Sequence, residues 1–124
     1  MNKNSIVSYP EILGRTIQQR RKELGLEQDV LSKRSGIPQS TISRIERGEA
    51  LLNSEQISYL ADALSLSPSD FWVRADSIKR AAEARGWTIL RDRVSAEMIK
   101  SSPLLVTGTA LTALMVTLLG DGDL

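Results

Sequence analysis

The chain has 124 residues, 41% hydrophobic and 25% charged, with 16 basic residues against 15 acidic for a net charge of +1. This length suits one small domain with an accessory segment, and aromatic content of 4% requires a mostly aliphatic core. With no cysteine and no histidine, disulfides, thiolate or imidazole metal sites and thiol or imidazole catalysis are excluded together, and no cofactor is expected.

Residues 1–10 are polar, end in Tyr9-Pro10 and read as a flexible arm. They lack the apolar core of a secretory signal. A first helix is expected from Glu11 to Leu24, with Leu13, Ile17 and Leu24 on one face and Arg21 between them. Gly25 ends it by accepting positive φ. The opposite face, Arg15, Gln18, Gln19 and Lys22, is a solvated surface on which Arg15 and Arg20 are placed to meet phosphate. A second helix spans Gln28 to Ser35, its N-terminal N–H groups suited to an anion. Gly36 supplies a tight turn, and Pro38 sets the start of a third helix, Gln39 to Arg47. Leu31, Ile37, Ile42 and Ile45 fall where apolar contacts would fix the angle between helices two and three. The outer face of the third helix shows Gln39, Ser40, Ser43, Arg44 and Arg47. A short helix with a polar, donor-rich face, braced by its predecessor, is the arrangement of a helix-turn-helix DNA reader.

After a loop over 49–53, Ser54 caps a fourth helix that buries Ile57, Leu60, Ala61 and Leu64. Ser67 and Pro68 open a fifth, where Phe71 and Trp72 are expected to close the core. Residues 75–85 are helical in propensity. Beyond Gly86 a further helix over 87–100 would carry Trp87, Leu90, Val94 and Met98 on one face, with a strand over Trp87 to Leu90 as the alternative. Residues 104–119 then run 16 residues without a charge.

Residues 13–72 resemble the domain shared by phage Cro and cI-type repressors and their bacterial XRE-family relatives. The matching residues are Gln28, Leu31, Gly36, Ile37, the string Ser40-Thr41-Ile42-Ser43-Arg44-Ile45-Glu46, Gly48, and Leu60-Ala61-Asp62-Ala63-Leu64. One departure is Ser32, where the family usually has alanine. The resemblance implies an all-α, five-helix lambda-repressor-like DNA-binding domain over 11–74. It implies a transcriptional regulator, by default a repressor, in the cytoplasm at the nucleoid. It also implies a backbone contact from Gln28 and an ion pair between Arg21 and Glu46 beneath the recognition helix.

On this reading Gln39, Ser40, Ser43 and Arg44 meet bases, Gln39 suiting adenine and Arg44 guanine. Gln28, Thr41, Arg47 and Arg15 meet the DNA backbone and set register. Residues 75–124 form a helical oligomerisation segment, in which Trp87, Leu90, Val94, Met98, Leu111, Leu114, Met115 and Leu118 bury against a second copy, because a helix apolar nearly all round must hide its surface. The uncharged run could instead bind a partner protein, as in an antitoxin that represses its own operon. It could also tether the chain to a membrane, although a spanning helix wants ~20 apolar residues, or pack on its own domain. No residue set assembles an enzyme site, and about 50 residues of tail are too few for the self-cleaving protease domain that some relatives carry.

Overall fold

The computed structural model describes residues 5–91. Their order is β1 (Ile6–Ser8), α1 (Tyr9–Glu23), α2 (Gln28–Ser35), α3 (Gln39–Glu46), α4 (Ser54–Ala63), α5 (Pro68–Ala84) and β2 (Thr88–Leu90). The five helices stand where apolar spacing puts them, and a small parallel sheet joins the two ends of this region. Val94, Met98, Leu111, Leu114, Met115 and Leu118, and the whole uncharged run, lie outside the described residues.

Each helix start has a local cause. Ser8 caps α1, its Oγ accepting from the Glu11 N–H at 3.2 Å, with Pro10 in the first turn. The helix therefore begins two residues before the expected Glu11. The cap of α4 is Asn53, not Ser54: Asn53 Oδ1 accepts from the Gln56 N–H at 2.7 Å and Gln56 Oε1 from the Asn53 N–H at 3.0 Å. An Asn-x-x-Gln box satisfies two orphan donors at once, which a lone serine one position later cannot do. Ser67 and Asp70 form the same reciprocal arrangement at α5.

The core is aliphatic. Ile12, Ile17, Leu31, Ile42, Leu64 and Ile78 are fully buried, and Phe71 sits among them at 2% exposure. Trp72, expected beside Phe71 in the core, is instead 40% exposed, its ring meeting Phe71 edge-on with centroids 5.3 Å apart. Adjacent positions on a helix point about 100° apart, so only one of the pair can face inward. Leu24 also lies at the surface, while Ile12 and Thr16 join the buried face of α1.

Three expectations about the ends are corrected. Helix α5 runs unbroken through the expected boundary between 74 and 75, and Phe71, Ala75, Ile78 and Ala82 form one buried stripe. Spacings of four, three and four residues keep them on a single face, so 75–84 belongs to the domain. Residues 6–8, expected within the arm, pair in parallel with 88–90, with Ile6 opposite Thr88, Val7 opposite Ile89 and Ser8 opposite Leu90. The strand alternative thus holds over Thr88–Leu90. Trp87, expected at an oligomer surface, is 5% exposed in the core of its own chain, alongside a fully buried Val7. Gly86 makes this possible: at φ 81° it closes α5 so that the Trp87 N–H reaches the Ala82 carbonyl at 3.0 Å and the chain reverses toward β1. Among the described residues no helix is long and apolar enough to cross a membrane.

Candidate nucleic-acid interface

Helices α2 and α3 are separated by Gly36, Ile37 and Pro38. Gly36 takes the left-handed conformation, φ 75° and ψ 10°, and its N–H bonds the Ser32 carbonyl. Two serines then lock the turn. Ser32 Oγ donates to the Ile37 carbonyl at 2.6 Å, and Ser35 Oγ accepts from the Ile37 N–H at 3.2 Å. The departure at Ser32 thus supplies a hydrogen bond that alanine would not. Leu31, Ile37, Ile42 and Ile45, all at or below 6% exposure, fill the angle between the two helices.

On the far side, α3 presents its polar residues. At about 100° per residue, Ser40, Ser43, Arg44 and Arg47 share an arc of about 100°, opposite the buried Ile42, Ile45 and Glu46. Gln39, Ser40, Arg44 and Arg47 are exposed, Ser43 half-buried. Thr41 lies on the flank and is half-buried, turned partly toward the domain. Pro38 precedes α3 without capping it by a side chain, so N–H groups at its first turn stay open to a ligand.

Beneath this helix lies a buried polar network. Arg21 Nε and Nη2 donate to the two carboxylate oxygens of Glu46 at 2.7 and 2.9 Å, and Arg21 Nη1 donates to the Leu26 carbonyl at 2.8 Å. Gln28 Nε2 donates to Glu46 Oε1 at 3.0 Å. Glu46 on α3 is thereby tied to both α1 and α2. Its hydrogen bond and charge hold the Arg21 guanidinium above the usual arginine range, against the opposing effect of burial. An amide nitrogen carries two protons, so Gln28 keeps one for a ligand at the α2 N-terminus.

The basic residues divide into two groups. Arg20, a candidate phosphate contact, is committed to the fold: Nε donates to the Leu64 carbonyl at 2.9 Å and Nη1 to Glu23 at 3.1 Å. Arg15 is half-buried, with Nη1 on Gln18 Oε1 at 3.0 Å and a buried Nε that has no partner among the described residues. Arg44 is exposed, and its charge helps hold the Glu49 carboxyl low, after the larger effect of the hydrogen bond from Arg47. Arg47 pairs with Glu49 and Ser43. Glu49 and Gly14 were missed as site residues. Glu49 had a signal, a carboxylate two residues after Arg47. Gly14 had none in local spacing: a Cβ there would lie 2.1 Å from the Ile45 carbonyl oxygen, so its role is the close approach of α1 to α3.

Residues 17–71 match the family described as Helix-turn-helix (HTH_3). Over 66 residues, 53% of this chain, the sequence is 36% identical to Repressor protein C2 of Salmonella phage P22, and the match spans 30% of that protein's length. The chain is also similar to the restriction-modification controller protein C.AhdI from Aeromonas hydrophila, at 29% identity and a TM-score of 0.49, covering 50% of this chain and 94% of that one. The family is one of transcriptional regulators rather than enzymes. With their glycine turn and buried Arg21–Glu46 brace, residues 17–71 match the helix-turn-helix family and are similar to the domain of Cro/cI-type XRE regulators.

Proposed function

We propose that the chain is a sequence-specific double-stranded DNA-binding regulator, acting as a repressor, that lays α3 in the major groove of each half of a two-fold operator. The observation that carries this reading is the outer face of α3: a row of short and long polar side chains on a helix whose inner face is fastened to α1 and α2 through Glu46. Gln39 and Arg44 are the bidentate readers, for adenine and guanine, each worth ~1–3 kcal/mol of discrimination. Ser40 and Ser43 adapt to bases or phosphates. Gln28, Thr41, Arg47 and Arg15 address the DNA backbone, with the α2 N-terminus adding N–H groups. The likeness to a phage repressor supports repression as the outcome of binding.

Two half-sites about one helical turn apart, ~34 Å, call for a second copy. The uncharged run over 104–119 is the segment proposed to bring it, and coupling two weak half-site contacts would raise affinity well beyond that of one. Sedimentation of the full-length chain, with and without operator DNA, tests this. A monomer in both conditions would remove the paired-site reading.

Selection of duplexes from a random pool tests the residue roles. Arg44→Ala is expected to change which sequence is recovered. Gln28→Ala is expected to weaken binding to all sequences alike. The same uniform loss from both variants would refute the division between base and backbone contacts.

A further inference from the structure

Arg47 ends α3 on the face that carries Ser40, Ser43 and Arg44, and all three of its guanidinium nitrogens are engaged. Nε and Nη2 donate to the two carboxylate oxygens of Glu49 at 2.8 and 3.1 Å, and Nη1 donates to Ser43 Oγ. A carboxylate offers a guanidinium the same two-oxygen fork that a phosphate does. Glu49 therefore fills the coordination that a DNA phosphate would use, while Arg47 itself holds Ser43.

The turn after α3 puts the carboxylate there. Gly48 adopts φ 75°, its N–H bonds the Ile45 carbonyl at 3.0 Å, and the Glu49 N–H bonds the Arg44 carbonyl at 2.9 Å. The Gly48 position is crowded as well: a Cβ would lie 2.5 Å from Glu11 Cγ and 2.8 Å from Glu11 Cα. The backbone that presents Glu49 is thus set by packing against α1. The side chains themselves are open to water, Arg47 at 50% and Glu49 at 54% exposure, so the pair is screened and exchanges readily.

We infer that Glu49 is an internal competitor for the DNA backbone, holding Arg47 in the free protein as a phosphate would and yielding it to the duplex on docking. This rests on the proposed DNA-binding reading of α3. Glu49 does not touch DNA in this scheme; it sets affinity through Arg47. Because phosphate contacts carry most sequence-independent affinity, the competitor weakens attachment to arbitrary duplex and leaves base contacts to decide where the protein stays.

The test is a double-mutant cycle in the full-length chain, with Glu49→Gln, Arg47→Gln and the pair combined. Binding is read by fluorescence anisotropy on a duplex recovered by selection and on an unrelated duplex, over a range of salt. Glu49→Gln is expected to tighten binding to both duplexes by about twofold to fivefold, the scale of a released exposed pair. Arg47→Gln is expected to weaken both and to lower the slope of log K against log salt by ~0.9 per half-site. In the Arg47→Gln background, Glu49→Gln is expected to have a much smaller effect, the remainder coming from the charge that Glu49 also sets against Arg44. Tightening of equal size with and without Arg47 would show simple charge repulsion and overturn the inference. So would Glu49→Gln binding no better than the parent. A parent chain with no preference for its selected duplex overturns the DNA-binding reading itself, and this inference with it. Since both side chains are at the surface, thermal melts of all four proteins are expected to coincide.

Discussion

Glu46, 1% exposed, accepts three side-chain hydrogen bonds, two from Arg21 and one from Gln28. Burying such a pair costs desolvation, which only a fully bonded geometry offsets. Removing one member strands the other, so Arg21→Ala or Glu46→Ala is expected to cost about 3–5 kcal/mol of stability. The double replacement Arg21→Met with Glu46→Leu should cost less than the sum of the two single changes, as denaturant melts of the three proteins would show. Glu23 behaves differently. Burial acts to raise its carboxyl, but hydrogen bonds from Arg74 and Arg20 outweigh that and hold it below 4.5. A carboxyl with a lowered folded pKa adds stability above its unfolded value, and that stability is lost as pH falls through the folded one. Glu23→Gln should therefore be less stable than the parent at pH 7, with the two melting curves converging as pH drops below about 4.5. The Arg21–Glu46 pair was legible only through family resemblance, since 25 residues separate its members. The Glu23 link to Arg74 spans 51 residues and left no trace in local spacing.

At the scale of elements, what aims α3 is its distance from α1. Gly14 lets the two backbones meet, with the Ile45 carbonyl oxygen 2.1 Å from where a Cβ would stand and the Glu46 oxygen at 3.0 Å. The obstructing atoms are backbone, so a methyl group there must push α3 outward. Overpacking of this kind costs about 1–3 kcal/mol. Gly14→Ala is expected to lower the melting temperature and also to weaken DNA binding, because the reading helix moves. Unchanged melting would show that α1 yields without strain. The helix-turn-helix itself was readable residue by residue: Gly36 must accept a left-handed backbone, and the buried Ile42 and Ile45 of α3 stand at helical spacing. Trp72 was misplaced because propensity and hydrophobicity do not say which of two adjacent aromatic residues faces the core.

For the whole molecule, the decisive contact joins the two ends of the described region. β1 and β2 pair across the full run of helices, and Trp87 with Val7 closes the core beneath them. A fragment ending at Arg85 loses both β2 and Trp87. Loss of a buried tryptophan costs about 3–5 kcal/mol. The fragment 1–91 is thus expected to melt like the corresponding domain of the full chain, whereas 1–85 should melt well below it or fail to fold. Comparable stability of the two fragments would show that the sheet contributes little. Trp72, being exposed, should keep a solvent-like emission in both.

The order of the helices, the glycine turn and the polar face of α3 were determined by the sequence alone, because each depends on residues within a turn or two of one another. Spacing, capping and left-handed glycines act locally, and a short window contains all their partners. Only tertiary structure decided the rest: that residues 6–8 and 88–90 form a sheet, that Trp87 is core, that Arg20 braces α4 and that Gly14 admits α3. Each of these joins residues far apart in the chain, and their proximity follows from how the helices pack.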